Sequence, residues 1–293
     1  MCSLKSRFGS HYDCLPIEDK EIRTLHLAME KLLDSKQELK KEDNLGSLAC
    51  LAVQFALEFN EDEESQDISC KQVEWHMRLC LFATTGFRKM VTGPASEPLL
   101  AEAAFWLLQN SDASLAKHLM DHSNLYCIDH GWCGKLVAAL IVMQAQDASV
   151  PRSVPDRQWI SVSKFMQTLL PPEVYKDLLI SLPTCWHPGE GDISFHQMFD
   201  NYHLWFNHII RVEDSNMIRL DFLWKYIIRG AMVLCKDTQE GIDMILLVCL
   251  MDGEISHETV TSITIQVKSS KEYTLSIKKK LFDGMDTCCN RPY

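Results

Sequence analysis

Residues 241–268, GIDMILLVCLMDGEISHETVTSITIQVK, decide how this chain is read. Ile242 to Leu250 is an apolar run of strand length, Asp252-Gly253 is a turn signal, and Ser262 to Val267 is rich in β-branched residues. The pattern predicts two strands. Asp243 stands at the start of the first, and Gln266 and Lys268 are two residues apart in the second. Side chains alternate along a strand, so Gln266 and Lys268 are expected on one face. If the strands pair, a carboxylate, an amide oxygen and an ammonium converge. Mg²⁺ takes oxygen ligands and keeps several waters. Such an ion held by Asp243 and Gln266, with Lys268 beside it, suits hydrolysis of a phosphodiester. The expected catalytic residues are therefore Asp243, Gln266 and Lys268, with Asp243 and Gln266 as metal ligands.

Working outward, Gly230 to Cys235 and Tyr273 to Ile277 read as further short strands. Before them the texture is helical. Apolar residues recur at helical spacing in 17–39, 45–59 and 73–90, and Ser96-Glu97-Pro98 opens another helix with Ser96 as its expected cap. A helix over 132–148 is apolar on nearly every side and is expected to be buried. The Pro-rich connector 149–158 follows, and then helices over 162–170, 172–182 and 221–229. The expected fold class is α/β in the α+β sense: a helical N-terminal region, 1–94, then a small mixed sheet with flanking helices, 95–293.

Several stretches carry a resemblance. Gly241-Ile242-Asp243, an apolar strand and Ile265-Gln266-Val267-Lys268 resemble the core of the PD-(D/E)XK superfamily, the restriction-endonuclease-like fold. With Ser96 to Ala104, Gly134 to Leu140, Phe222-Leu223-Trp224 and Arg229-Gly230-Ala231, they are most similar to a group of uncharacterised basidiomycete fungal proteins. The resemblance spans Ser96 to Lys268. It implies a restriction-endonuclease-like core and a divergent Mg²⁺-dependent nuclease acting on DNA or RNA. One departure matters. Such proteins commonly have Gly-Glu where this chain has Gly134-Lys135, and the Glu serves as a further metal ligand. At about 4 Å and an effective dielectric of about 20, two like unit charges repel by roughly 4 kcal/mol. A Lys135 facing the site would weaken metal binding badly. The alternative is therefore a catalytically inactive interaction or scaffold protein that keeps the fold. In that fold further elements follow the Gln-x-Lys strand, so the early C-terminus is read as a truncation.

Composition bounds the partners. A formal charge of −11 argues against a protein that coats nucleic acid with its whole surface. Locally, Lys268, Lys271, Lys278, Lys279 and Lys280 face one Glu, Glu272. Lys271, Lys278, Lys279 and Lys280 are candidate phosphate contacts, although Lys also protects edge strands. A protein partner is equally compatible. No apolar run reaches the roughly 20 residues of a membrane span. Twelve Cys and no apolar leader predict reduced thiols and a cytoplasmic or nuclear location.

Weaker groupings remain. Cys127, His130 and Cys133 with His118 and His122 have spacing for zinc, but no paired C-x-x-C module accompanies them. Cys185 and His187 are too close in sequence for a nucleophile and base. Trp205, Phe206, Phe222, Trp224 and Tyr226 are more simply core than base-stacking platforms. No phosphate-loop or dinucleotide fingerprint occurs.

Overall fold

The computed structural model describes residues 17–85, 89–122, 130–150, 159–183, 193–214, 217–236, 241–251 and 254–268. The chain divides into two compact units, Met1–Cys127 and Ile128–Tyr293. The expected boundary at 94–95 lies inside the first of these.

In the first unit, helices α1 (Ile17–Leu32) and α2 (Asn44–Phe55) pack on α4 (Pro98–Gln109), with α3 (Glu63–Trp75) and α5 (Leu115–Asp121) beside α2. Leu32, Leu33, Leu48, Leu51, Phe55, Ala101 and Ala104 form its buried interior. Asp43 starts α2 by accepting from the Gly46 N–H at 3.0 Å. The helix stops at Phe55, short of the expected Phe59, because Ala56 turns left-handed at φ +51°. Pro98 opens α4 as expected, but Glu97, not Ser96, occupies the cap.

A larger correction follows α3. The sequence predicts one helix over 73–90, yet α3 ends at Trp75 and Met77 has φ +59°. The chain then forms an antiparallel pair, β1 (Leu79–Ala83) and β2 (Met90–Gly93). Leu79-Cys80-Leu81-Phe82 is an unbroken apolar run that breaks the helical spacing, and in β1 Leu79, Leu81 and Phe82 stay exposed.

The second unit is built on a mixed six-stranded sheet, confirming the α/β class. Its strands are β3 (Ile160–Ser161), β4 (Tyr202–Leu204), β5 (His208–Val212), β6 (Ala231–Cys235), β7 (Met244–Leu250) and β8 (Val260–Ile265). The order is β3-β4-β7-β6-β5, with β8 also on β7. Strands β5 and β6 are parallel, joined through α10 (Leu220–Ile228), and the other pairs are antiparallel. All but the last residue of β7 is buried, as a continuous apolar run demands in a strand covered on both faces. Strands β4 and β5 lie between the expected helices over 172–182 and 221–229, where the sequence predicts no strand.

The remaining helices are α6 (His130–Ser149), α7 (Val162–Leu169), α8 (Pro172–Ile180) and α9 (Phe195–Met198). Helix α6 departs from expectation. Ala139, Val142 and Met143 are buried, but Val137 is 52% and Ile141 50% exposed. It is a one-sided helix whose outer face is also apolar. The expected strand 273–277 lies outside the described residues. Among the described residues, no helix is long and apolar enough to cross a membrane.

Candidate functional site

The two strands of the sequence argument do pair. Strand β7 runs antiparallel to β8, with Met244 opposite Ile265 and Cys249 opposite Val260. Asp243, just before β7, is pinned on both sides by its backbone. Its N–H donates to the Ile265 carbonyl at 2.9 Å, and its own carbonyl accepts from the Cys235 N–H at 2.9 Å. The first residue beyond the ladder on each strand is Asp243 on one and Gln266 on the other.

The carboxylate does not meet the expected partners. Its Oδ2 accepts from the Val267 backbone N–H at 2.7 Å, and its Oδ1 lies 3.3 Å from Lys135 Nζ. The two side chains are 9% and 15% exposed, Lys135 the more buried. Lys135 sits in the early turns of α6, next to Gly134. A Cβ at Gly134 would meet Val267 at 3.5 Å, so the helix runs close to the end of β8. Lys135 thus faces the candidate site, the geometry in which its charge opposes a cation.

Gln266 and Lys268 are placed differently from expectation. Strand β8 ends at Ile265, and 266–268 lie beyond it. The cause is Asp243 itself: its side chain takes the Val267 N–H that a strand would give to a neighbouring backbone. Gln266 and Lys268 are therefore not part of the ladder. Gln266 is half-buried and Lys268 exposed. Among the described residues, neither forms a hydrogen bond or ion pair with Asp243. Lys271, Lys278, Lys279 and Lys280 lie outside the described residues.

Cys235, at the end of β6, belongs to this corner, and sequence reasoning missed it. Burial pushes its thiol up to about 12, with the Lys135 ammonium pulling it down and the Asp243 carboxylate raising it. That thiol stays protonated and unreactive at neutral pH. Nothing in the sequence marks Cys235 apart from its place at a strand end.

Mg²⁺ needs near-octahedral oxygen ligation at roughly 2.0–2.1 Å. Here one carboxylate oxygen is spent on an amide and the other faces an ammonium. Among the described residues, no three His, Cys, Asp or Glu side chains are grouped to hold a metal. The donors among the described residues do not fit a divalent cation.

The weaker groupings resolve in part. Trp205 and Phe206 are buried core residues. His118 and His122 turn to a serine hydroxyl, described below. Cys127, the His130 side chain, Cys185 and His187 lie outside what is described. No family model matches this chain, and no curated protein or solved structure is significantly similar to it.

Proposed function

We propose that this chain is a non-catalytic interaction protein built on a nuclease-like sheet, in which a lysine stands where a nuclease would hold its metal. One observation carries the reading: Lys135 Nζ lies 3.3 Å from Asp243 Oδ1. The pair is mostly withdrawn from solvent. A charge removed from water persists only when paired and hydrogen-bonded. Lys135 and the Val267 N–H supply those partners to Asp243, and the carboxylate becomes a structural tie between α6 and the ends of β7 and β8. A protein partner is favoured over nucleic acid by the formal charge of −11. Exposed Leu79, Leu81 and Phe82 on β1 add apolar surface of the kind that protein contacts cover.

The test is calorimetry with Mg²⁺ and Mn²⁺, paired with cleavage assays on DNA and RNA. The wild type is expected to bind neither ion and to leave both substrates intact. Lys135→Glu should gain metal binding, since it exchanges the opposing charge for a second carboxylate. Divalent-dependent cleavage by the wild type, lost in Asp243→Ala and Lys268→Ala, would instead establish the Mg²⁺ hydrolase.

A further inference from the structure

The first unit holds a buried polar chain that the proposed function does not use. Ser47 of α2 places its Oγ 3.1 Å from His118 Nδ1 and 3.0 Å from His122 Nε2. Both histidines belong to the α5 end, four residues apart. Ser47 is 4%, His118 8% and His122 5% exposed. The other ring nitrogen of His118, Nε2, lies 2.9 Å from Ser111 Oγ.

The proton positions follow from counting. Ser111 has one hydroxyl proton and two backbone carbonyls to take it, Leu108 at 2.7 Å and Ala113 at 3.1 Å. It must therefore accept from His118 Nε2–H. A neutral His118 then has a bare Nδ1, which accepts the Ser47 hydroxyl proton. Ser47, its proton committed, accepts from His122 Nε2–H. Each member donates once along the line His122, Ser47, His118, Ser111. So buried a serine is no nucleophile for an outside substrate. Its hydroxyl is the joint through which α5 is held to α2.

That joint has a fixed proton capacity. A first proton on His118 is accommodated by turning the Ser47 hydroxyl toward His122, whose neutral ring then carries its proton on Nδ1 and leaves Nε2 bare to accept. With a second, Ser47 faces two imidazoliums, both donating into one oxygen, and its own proton is driven from both rings. We infer that the Ser47–His118–His122 chain is a proton-counting latch, holding α5 on α2 while it carries at most one proton and releasing it on the second.

Among the described residues, few charged groups stand near the latch. Helix α2 carries no charged side chain; its titratable Cys50 is fully buried, and burial pushes the thiol far up. Asp43, its cap, is engaged with Lys36 and the Gly46 N–H. Asp112, in the turn before α5, is exposed, and Glu102 is the one charged residue of α4. On α5 itself, Lys117 and Asp121 pair with each other. Desolvation holds both imidazoles below their ordinary range, with Asp121 opposing it, Lys117 adding to it at His118 and the His118 charge adding to it at His122.

The experiment uses the full chain. Ring-nitrogen NMR of the histidines, followed from about pH 7 to about pH 4, should show His118 and His122 titrating in two steps at least about one pH unit apart. Amide exchange, corrected for its intrinsic pH dependence, should show α5 losing at least roughly tenfold protection across the second step, while α2 keeps its own. His122→Gln can still donate to or accept from Ser47 and cannot charge; it should titrate in one step and keep α5 protected. Two rings titrating together at the ordinary imidazole pH would overturn the inference. So would α5 protection that is flat with pH in the wild type, or that His122→Gln loses as the wild type does.

Discussion

Lys135 and Asp243 illustrate how one residue changes what a site can hold. A carboxylate at position 135 would leave two acids sharing a nearly dry corner, which calls for a cation between them or a proton shared by the pair. A lysine supplies that cation from the chain itself. His208 is the second instructive residue. Its side chain is fully buried, with Nδ1 2.9 Å from Asn207 Oδ1. Burial lowers its pKa to about 4, the Arg229 guanidinium adds to that, and a hydrogen bond with the Gly230 backbone opposes it. The folded value lies below the unfolded value of 6.5. On acidification the unfolded chain therefore takes up the proton first. The stability linked to His208 is fully present above about pH 6.5 and drains away as pH falls toward about 4, a loss of about 3 kcal/mol. Urea denaturation of the wild type and His208→Gln at a series of pH values checks this. The stability difference between the two should shrink by that amount over that window. A difference that stays constant with pH would remove His208 as the cause.

At the scale of elements, the α10–β6 connection sets the geometry of the sheet. Gly230 joins the helix to the strand at φ +63°, and a Cβ there would stand 2.1 Å from Cζ3 of Trp205. Both the backbone angle and the ring forbid a side chain. Gly230→Ala is expected to cost about 3 kcal/mol or more, from the strained φ together with overpacking against a buried indole. The midpoint of thermal unfolding measures it, and a variant as stable as the wild type would show that the connection relaxes freely. Sheet elements of this kind were the legible part of the sequence. Continuous apolar runs marked β6 and β7 because such residues demand burial, and the β-branched run marked the half-buried β8 because Val, Thr and Ile suit a pleated strand. Proline at position 98 and the Pro171-Pro172 pair likewise marked helix starts. Strands β4 and β5 were hidden because polar residues, His203 in one and His208 and Arg211 in the other, break their apolar runs, and each is held by the strand beside it, Tyr202 pairing with Leu250 and His208 with Ala231. The site was half legible. Pairing of the strands follows from pattern, and Lys135 stands out only through the resemblance, which leads one to expect a Glu at that position. The end of β8 at Ile265 does not, because it depends on where the Asp243 side chain sends its hydrogen bond.

For the whole molecule, the division at residues 127 and 128 carries a consequence for stability. The first unit closes its interior with α1, α2 and α4, and the second with its own sheet, where Val233, Ile245, Leu247 and Val260 pack with Leu223 and Ile227 of α10. Chains of roughly 100–200 residues bury about two-thirds of their surface on folding, enough to support an independent core. Cut at that point, the two fragments should each fold. The first should give a helix-dominated circular dichroism spectrum and the second a mixed one, each with its own cooperative denaturation curve. Their summed spectra should match that of the intact chain. Acid should then act on the fragments separately: the histidine latch belongs to the first and His208 to the second, so His208→Gln should alter the pH dependence of the second fragment alone. A first fragment that is unfolded in isolation, or a second that loses its response to His208→Gln, would mean that one core depends on the other and that the chain folds as a single unit.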